Sequence, residues 1–101
     1  MFGKLGDMMG KLQEMKQKAE EVKARLAEKS VKVEGAGGDI KIEISGDRKI
    51  KNLGIAASLQ HGDKNELEEQ LLVTINKAIA EADKINEDEM KKAASGLIPG
   101  I

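Results

Sequence analysis

The chain contains no cysteine, no tryptophan and no tyrosine, and it holds one phenylalanine (Phe2), one proline (Pro99) and one histidine (His61). Each gap excludes something. Without cysteine there is no disulfide framework and no thiolate metal site. With a single aromatic side chain there is no platform on which the bases of a single strand can stack, so a nucleic-acid partner would be a duplex gripped by its backbone. His61 stands alone in a connector beside Gly62 and Asp63, and Ser30, Ser45, Ser58 and Ser95 have no visible base to activate them. No stretch approaches the ~20 apolar residues that span a bilayer, and the opening MFGKLGDMMGKLQEM lacks the continuous apolar run of a signal peptide. The expectation is a non-enzymatic cytoplasmic protein with no catalytic residues, no metal, no cofactor, no membrane association and no small-molecule substrate.

What is abundant is charge. Charged residues make up 35% of the 101 positions and hydrophobic ones 40%, against the ~25% charged share of ordinary globular domains. This length allows one domain (1–101). Its core must come from Ile, Leu, Val, Met and Ala, which is thin for a lone chain, and small domains of that kind often complete their core by pairing. A homodimer is therefore expected. The formal net charge is −1, well short of the strongly basic balance usual in nucleic-acid binders. The distribution is uneven, however: residues 1–29 carry seven bases and five acids, and residues 63–101 carry five bases and nine acids.

Periodicity divides the chain into five segments. Met8, Leu12, Met15, Ala19, Val22 and Leu26 recur at alternating steps of four and three, one apolar stripe on a helix over 7–29. Asp7 is a candidate cap for its start, and residues 1–6 are expected to be loose. The period then changes to two. Val31 and Val33 open a strand that stops at Gly35-Ala36-Gly37-Gly38, where a hairpin turn needs positive φ. Ile40, Ile42 and Ile44 alternate with Lys41, Glu43 and Ser45 in a second strand, and Gly46-Asp47-Arg48 makes the next turn. In the third strand Leu53 and Ile55 share a face from which Ile50 is out of parity, which a bulge near Ile50 would explain, as would burial of the strand on both sides. After a connector, Asp63 caps a second helix running to about residue 94. Leu67, Leu71, Ile75, Ala78, Ala82 and Ile85 form its stripe, widened by Leu72 and Ile79. Ser95-Gly96 is expected to end it, with 97–101 flexible. The fold class is α+β: an α-β-β-β-α order with a three-stranded antiparallel meander and two long helices that overhang it, so that a second copy interlocks as cover.

Candidate binding residues lie in three groups. Lys4, Lys11, Lys18 and Arg25 stand seven residues apart, a ridge along the first helix. Arg48, Lys49 and Lys51 surround the second turn, and Lys91 and Lys92 lie near the far end of the second helix. Phosphate contacts require charge and reach but little sequence specificity, which such ridges supply. The competing reading is solvated lysine beside a packed stripe, paired with acids of the second helix. Glu87, Asp88 and Glu89 are adjacent on a helix and read as a solvated face. Gly35-Ala36-Gly37-Gly38 precedes a strand and lacks the context of a phosphate loop, so it reads as a turn.

Three segments together, MFGKLGDMMGKLQEMKQKAEEVKARL, VEGAGGDIKIEISGDRKIKNLGI and AIAEADKINEDEMKKA, resemble the YbaB/EbfC family of small bacterial nucleoid-associated DNA-binding proteins, over roughly residues 1–97. The resemblance implies a tight homodimer with helices sandwiched between two sheets. It also implies tweezer-like projecting helices and sequence-tolerant binding of double-stranded DNA in the nucleoid. It assigns no individual contact residue. The rival expectation is a protein–protein adaptor linked to DNA repair or recombination, with weak or no direct DNA binding.

Overall fold

The computed structural model describes residues 2–97, with side chains for residues 6–95. Helix α1 (Phe2–Glu28) is followed by strands β1 (Ser30–Gly35), β2 (Ile40–Ser45) and β3 (Ile50–Ile55), a single helical turn α2 (Ala57–Gln60) and helix α3 (Lys64–Leu97). The strands form one antiparallel sheet in the order β1-β2-β3, so the expected α+β meander is present.

β2 is the centre of the sheet and of the core. Ile40, Ile42 and Ile44 are at most 1% exposed. Val33 and Val31 lie opposite Ile42 and Ile44 on β1. A branched apolar residue on every second position gives a stiff, pleat-compatible face, and each fully buried side chain contributes about 1.5–3 kcal/mol. Helix α3 lies across this face over β1 and β2, with Ala78 and Ala82 buried and Leu71 and Ile75 packed against the cluster. Small residues let the helix sit close. At Gly35 it sits so close that a Cβ would be 1.8 Å from Thr74 Oγ1.

Both turns fall where expected. In the first, Ala36, Gly37 and Gly38 take φ of 52°, 68° and 98°; in the second the positive φ falls on Arg48, at 63°, and not on Gly46. The parity break in the third strand is a bulge: Glu43 pairs with Asn52 but Ile44 pairs with Ile50, which leaves Lys51 as the extra residue. The bulge returns Ile50 to the apolar face with Leu53 and Ile55. That part of the face is uncovered, since Ile50 and Leu53 are 46% and 52% exposed.

Three boundaries depart from expectation. Helix α1 begins at Phe2, so residues 2–6 are helical and Asp7 lies inside the helix and is not its cap. Glycine weakens a helix by only about 1 kcal/mol, too little to stop a long run of strong formers at Gly3, Gly6 or Gly10. For the same reason α3 continues through Ser95-Gly96 to Leu97. The connector contains α2, with no apolar period to announce so short an element. The flexibility expected of Met1 and of residues 98–101 lies outside the described residues. Asp63 does cap α3: its Oδ1 accepts the Asn65 N–H at 2.9 Å.

Candidate nucleic-acid interface

The molecule measures 71 × 22 × 19 Å, because the helices run far beyond the sheet. α1 and α3 are antiparallel. Leu26 meets Ile85 at Gly46, Arg25 and Lys29 meet Glu89, and Met15 and Ala19 lie along an apolar groove with Met90, Ala93 and Ala94. Val22 and Leu26 are the buried residues of α1. All of residues 6–17 are exposed, including Met8, Leu12 and Met15 of the sequence stripe at 62%, 63% and 54%. The first half of α1 is thus an arm standing clear of the sheet, with its apolar stripe bare.

The basic ridge follows this arm. Successive members are about 10.5 Å apart along the axis at 1.5 Å per residue. Lys11 is exposed and Lys18 is half-buried on the groove edge; the side chain of Lys4 lies outside the described residues. Arg25 stands at the root of the arm and is not a free end to the ridge. Its Nε donates to Glu89 Oε2 at 3.0 Å, Lys29 Nζ donates to Glu89 Oε1, and Lys92 Nζ is 3.9 Å from the same carboxylate. Glu89 is buried, with a side chain 3% exposed. The Lys29 and Arg25 hydrogen bonds hold its carboxyl below the ordinary range, against the opposing effect of burial. This corrects the reading of Glu87, Asp88 and Glu89 as one solvated face: the first two are exposed, but Glu89 turns into the helix crossing. Sequence spacing could not reveal it, since the partners are 60 and 64 positions away.

The second group is divided. Arg48 Nε donates to Asp83 Oδ1 at 2.5 Å and so ties the hairpin to α3. Lys51, the bulge residue, donates from Nζ to the Ala27 carbonyl at 2.8 Å, which caps the end of α1. Lys49 reaches outward, 81% exposed, with Asp47 Oδ2 at 4.0 Å. The Ser45 hydroxyl donates to Asp47 and lowers its pKa, while Asn52 and then Ser30 lower that of Glu43 on the outer sheet face. In the third group Lys91 is exposed and Lys92 belongs to the Glu89 cluster. The structure thus brings Arg25 and Lys92 together with Lys29, which the sequence reading had left out, and keeps Lys11, Lys49 and Lys91 apart. His61 ends α2 and is exposed. Among the described residues no group of acids or histidines is placed to hold a metal, and no helix is long and apolar enough to cross a membrane.

The family model described as the YbaB/EbfC DNA-binding family matches residues 1–97. The chain belongs to the YbaB/EbfC DNA-binding family. Relatives within reach of this assignment include a nucleoid-associated protein of Hahella chejuensis, 37% identical over 95 residues that cover 94% of this chain and 88% of the relative. Another, from Flavobacterium johnsoniae, is 42% identical over 77 residues, 76% of this chain and 72% of that one. The YbaB/EbfC fold is matched in three dimensions by an uncharacterized protein of Helicobacter pylori, HP0035. Its TM-score is 0.70 at 21% identity, covering 89% of this chain and 91% of that one; this likeness speaks to the fold alone.

Proposed function

We propose that the chain works as a homodimer in the nucleoid that binds double-stranded DNA through the phosphate backbone with low sequence specificity. The observation that carries this reading is the family match over residues 1–97, joined by relatives named nucleoid-associated proteins. The geometry supplies the means. A projecting arm with Lys11 and Lys16 exposed and Lys18 at its groove edge offers cations, with no aromatic ring among the described side chains on which a base could stack, a combination suited to phosphates.

Pairing has its own support. Two apolar surfaces on one chain lack cover: the β3 side of the sheet face (Ile50, Leu53) and the arm stripe (Met8, Leu12, Met15). Clustered exposed apolar side chains of this kind are what an interaction site presents, and a second copy provides both a helix for the sheet and a sheet for the helix. The test is a duplex mobility shift across a salt series together with solution mass. Affinity should fall linearly in log–log form, with a slope of about −0.9 per phosphate contacted, and the mass should be twice 10.9 kDa. A monomer that ignores duplex at low salt refutes the reading.

A further inference from the structure

Three cations converge on one acid at the root of the arm, an imbalance found nowhere else among the described ion pairs. Arg48 with Asp83, Lys64 with Glu68 and Lys84 with Glu81 are one-to-one. Around Glu89 stand Arg25, Lys29 and Lys92, so the cluster keeps two positive charges in excess. Glu89 is also the only buried acid among the described residues. Burying a carboxylate is costly unless it is fully bonded, and an apolar side chain would serve simple packing as well or better. The arrangement is explained if the acid holds cations in place for another ligand.

The cations face outward. The side chains of Arg25 and Lys29 are each 46% exposed and that of Lys92 is 69% exposed, over a carboxylate that is 3% exposed. Arg25 engages Glu89 through Nε alone. Its two terminal amino groups make no hydrogen bond within the described chain, and those are the donors that match a phosphate in a two-point grip. Neither Glu21 nor Glu28, each within one turn on α1, takes them up in an ion pair. Lys29 likewise has ammonium donors beyond the one given to Glu89. None of the three cations lines the apolar groove of Met15, Ala19, Met90 and Ala93, so the cluster is separate from that bare apolar surface.

We infer that Arg25, Lys29 and Lys92, set in place by the buried Glu89 carboxylate, form a phosphodiester-binding cradle at the root of the arm. This rests on the duplex-binding reading and relocates its principal contact from the arm's free half to the helix crossing. Glu89 is a positioning residue there: it touches no phosphate.

The sequence contains two arginines, Arg25 and Arg48, and both are pinned to a carboxylate through Nε. Side-chain Nε–H resonances of the full-length protein therefore give the site and an internal control in one spectrum. Inorganic phosphate, and then a short duplex, should shift the Arg25 signal and leave Arg48 in place. An unmoved Arg25 signal with both probes, or equal movement of both signals, overturns the cradle. The second arm is the double variant R25Q/E89Q, which keeps the net charge and leaves no unpaired buried carboxylate. Its duplex affinity should drop at least tenfold and its salt slope should become shallower by about 0.9 per cradle engaged. R25K, which keeps charge and the Glu89 pair but loses the fork, should keep the slope and lose several-fold in affinity. If wild type binds duplex and R25Q/E89Q binds equally well, the cradle is wrong and the general reading survives. If Arg25 responds to inorganic phosphate while duplex does not bind, the cradle stands and the DNA reading falls.

Discussion

Replacing Gly35 with alanine tests the closest contact in the fold. At φ −139° and ψ 171° the backbone of Gly35 suits any residue, so the substitution brings no dihedral strain and should gain about 0.4–1 kcal/mol by stiffening the unfolded chain. Against that, the new methyl would be 1.8 Å from Thr74 Oγ1 and 2.9 Å from Thr74 Cβ and Cγ2. Thr74 is 1% exposed and its hydroxyl donates to the Gln70 carbonyl at 2.7 Å, so the side chain cannot swing away without losing that bond. The helix itself must lift from β1, which also loosens Ala78 in the core cluster. Overpacking of this kind costs about 1–3 kcal/mol, and this clash belongs at the upper end. The net loss is then about 2–2.6 kcal/mol, or roughly 8–21 °C in melting temperature for a domain of this length. Thermal unfolding followed by far-UV circular dichroism, at one fixed protein concentration, measures it. The double variant G35A/T74A removes the worst contact and should be at least 1 kcal/mol more stable than the sum of the two single effects predicts. Unchanged melting of G35A, or strict additivity in the double variant, would refute the claim that α3 is held on the sheet at this point.

Other expectations follow from the charged contacts and the bare faces. Glu89, Glu43 and Asp47 all have lowered pKa values in the folded chain. Their stabilising contributions are therefore complete above the ordinary carboxylate values of 4.5 and 3.8 and vanish as pH falls through the folded values. Melting temperature should stay level from neutrality to about pH 5 and decline below it, and E89Q should flatten part of that decline. Leu53→Asp places a charge on a site 52% exposed in one chain, so it should leave a monomer folded but halve the mass seen by light scattering. A dimer unaffected by Leu53→Asp would mean that β3 is not part of the joint. The paired reversal Lys11→Glu/Lys16→Glu, at two exposed positions, should weaken duplex binding at low salt while changing stability by no more than about 0.5 kcal/mol, as is usual for surface positions. Equal binding would remove the arm from the interface.

Much of the fold was legible because its signals are local. The alternation of Ile40, Ile42 and Ile44 announces the central strand, while the misplaced parity of Ile50 leaves a bulge and two-sided burial both open, and the pairing of Ile44 with Ile50 decides for the bulge. The glycine-rich turn was legible for the same reason. What was not legible depends on partners distant in sequence. Glu89 looks like its solvated neighbours until Arg25 and Lys29 are brought to it. Gly35 looks like part of a turn until Thr74 is seen above it. The helix ends were misjudged because glycine is a weak terminator within a long cooperative helix. The basic groups were found by spacing, but spacing cannot tell that Arg48 and Lys51 are tied to Asp83 and to the Ala27 carbonyl while Lys49 is not.

The helix crossing at Val22 is also the fulcrum of a lever. From there to Phe2 the helix extends about 30 Å at 1.5 Å per residue, so a tilt of only ~5° at the fulcrum would displace the far end by ~2.6 Å. That is a large fraction of a hydrogen-bonding distance, produced by a rearrangement that no residue at the far end takes part in. In the pairing proposed above, the gauge between two such levers would be adjusted from the few side chains around residues 22–29 and 85–92.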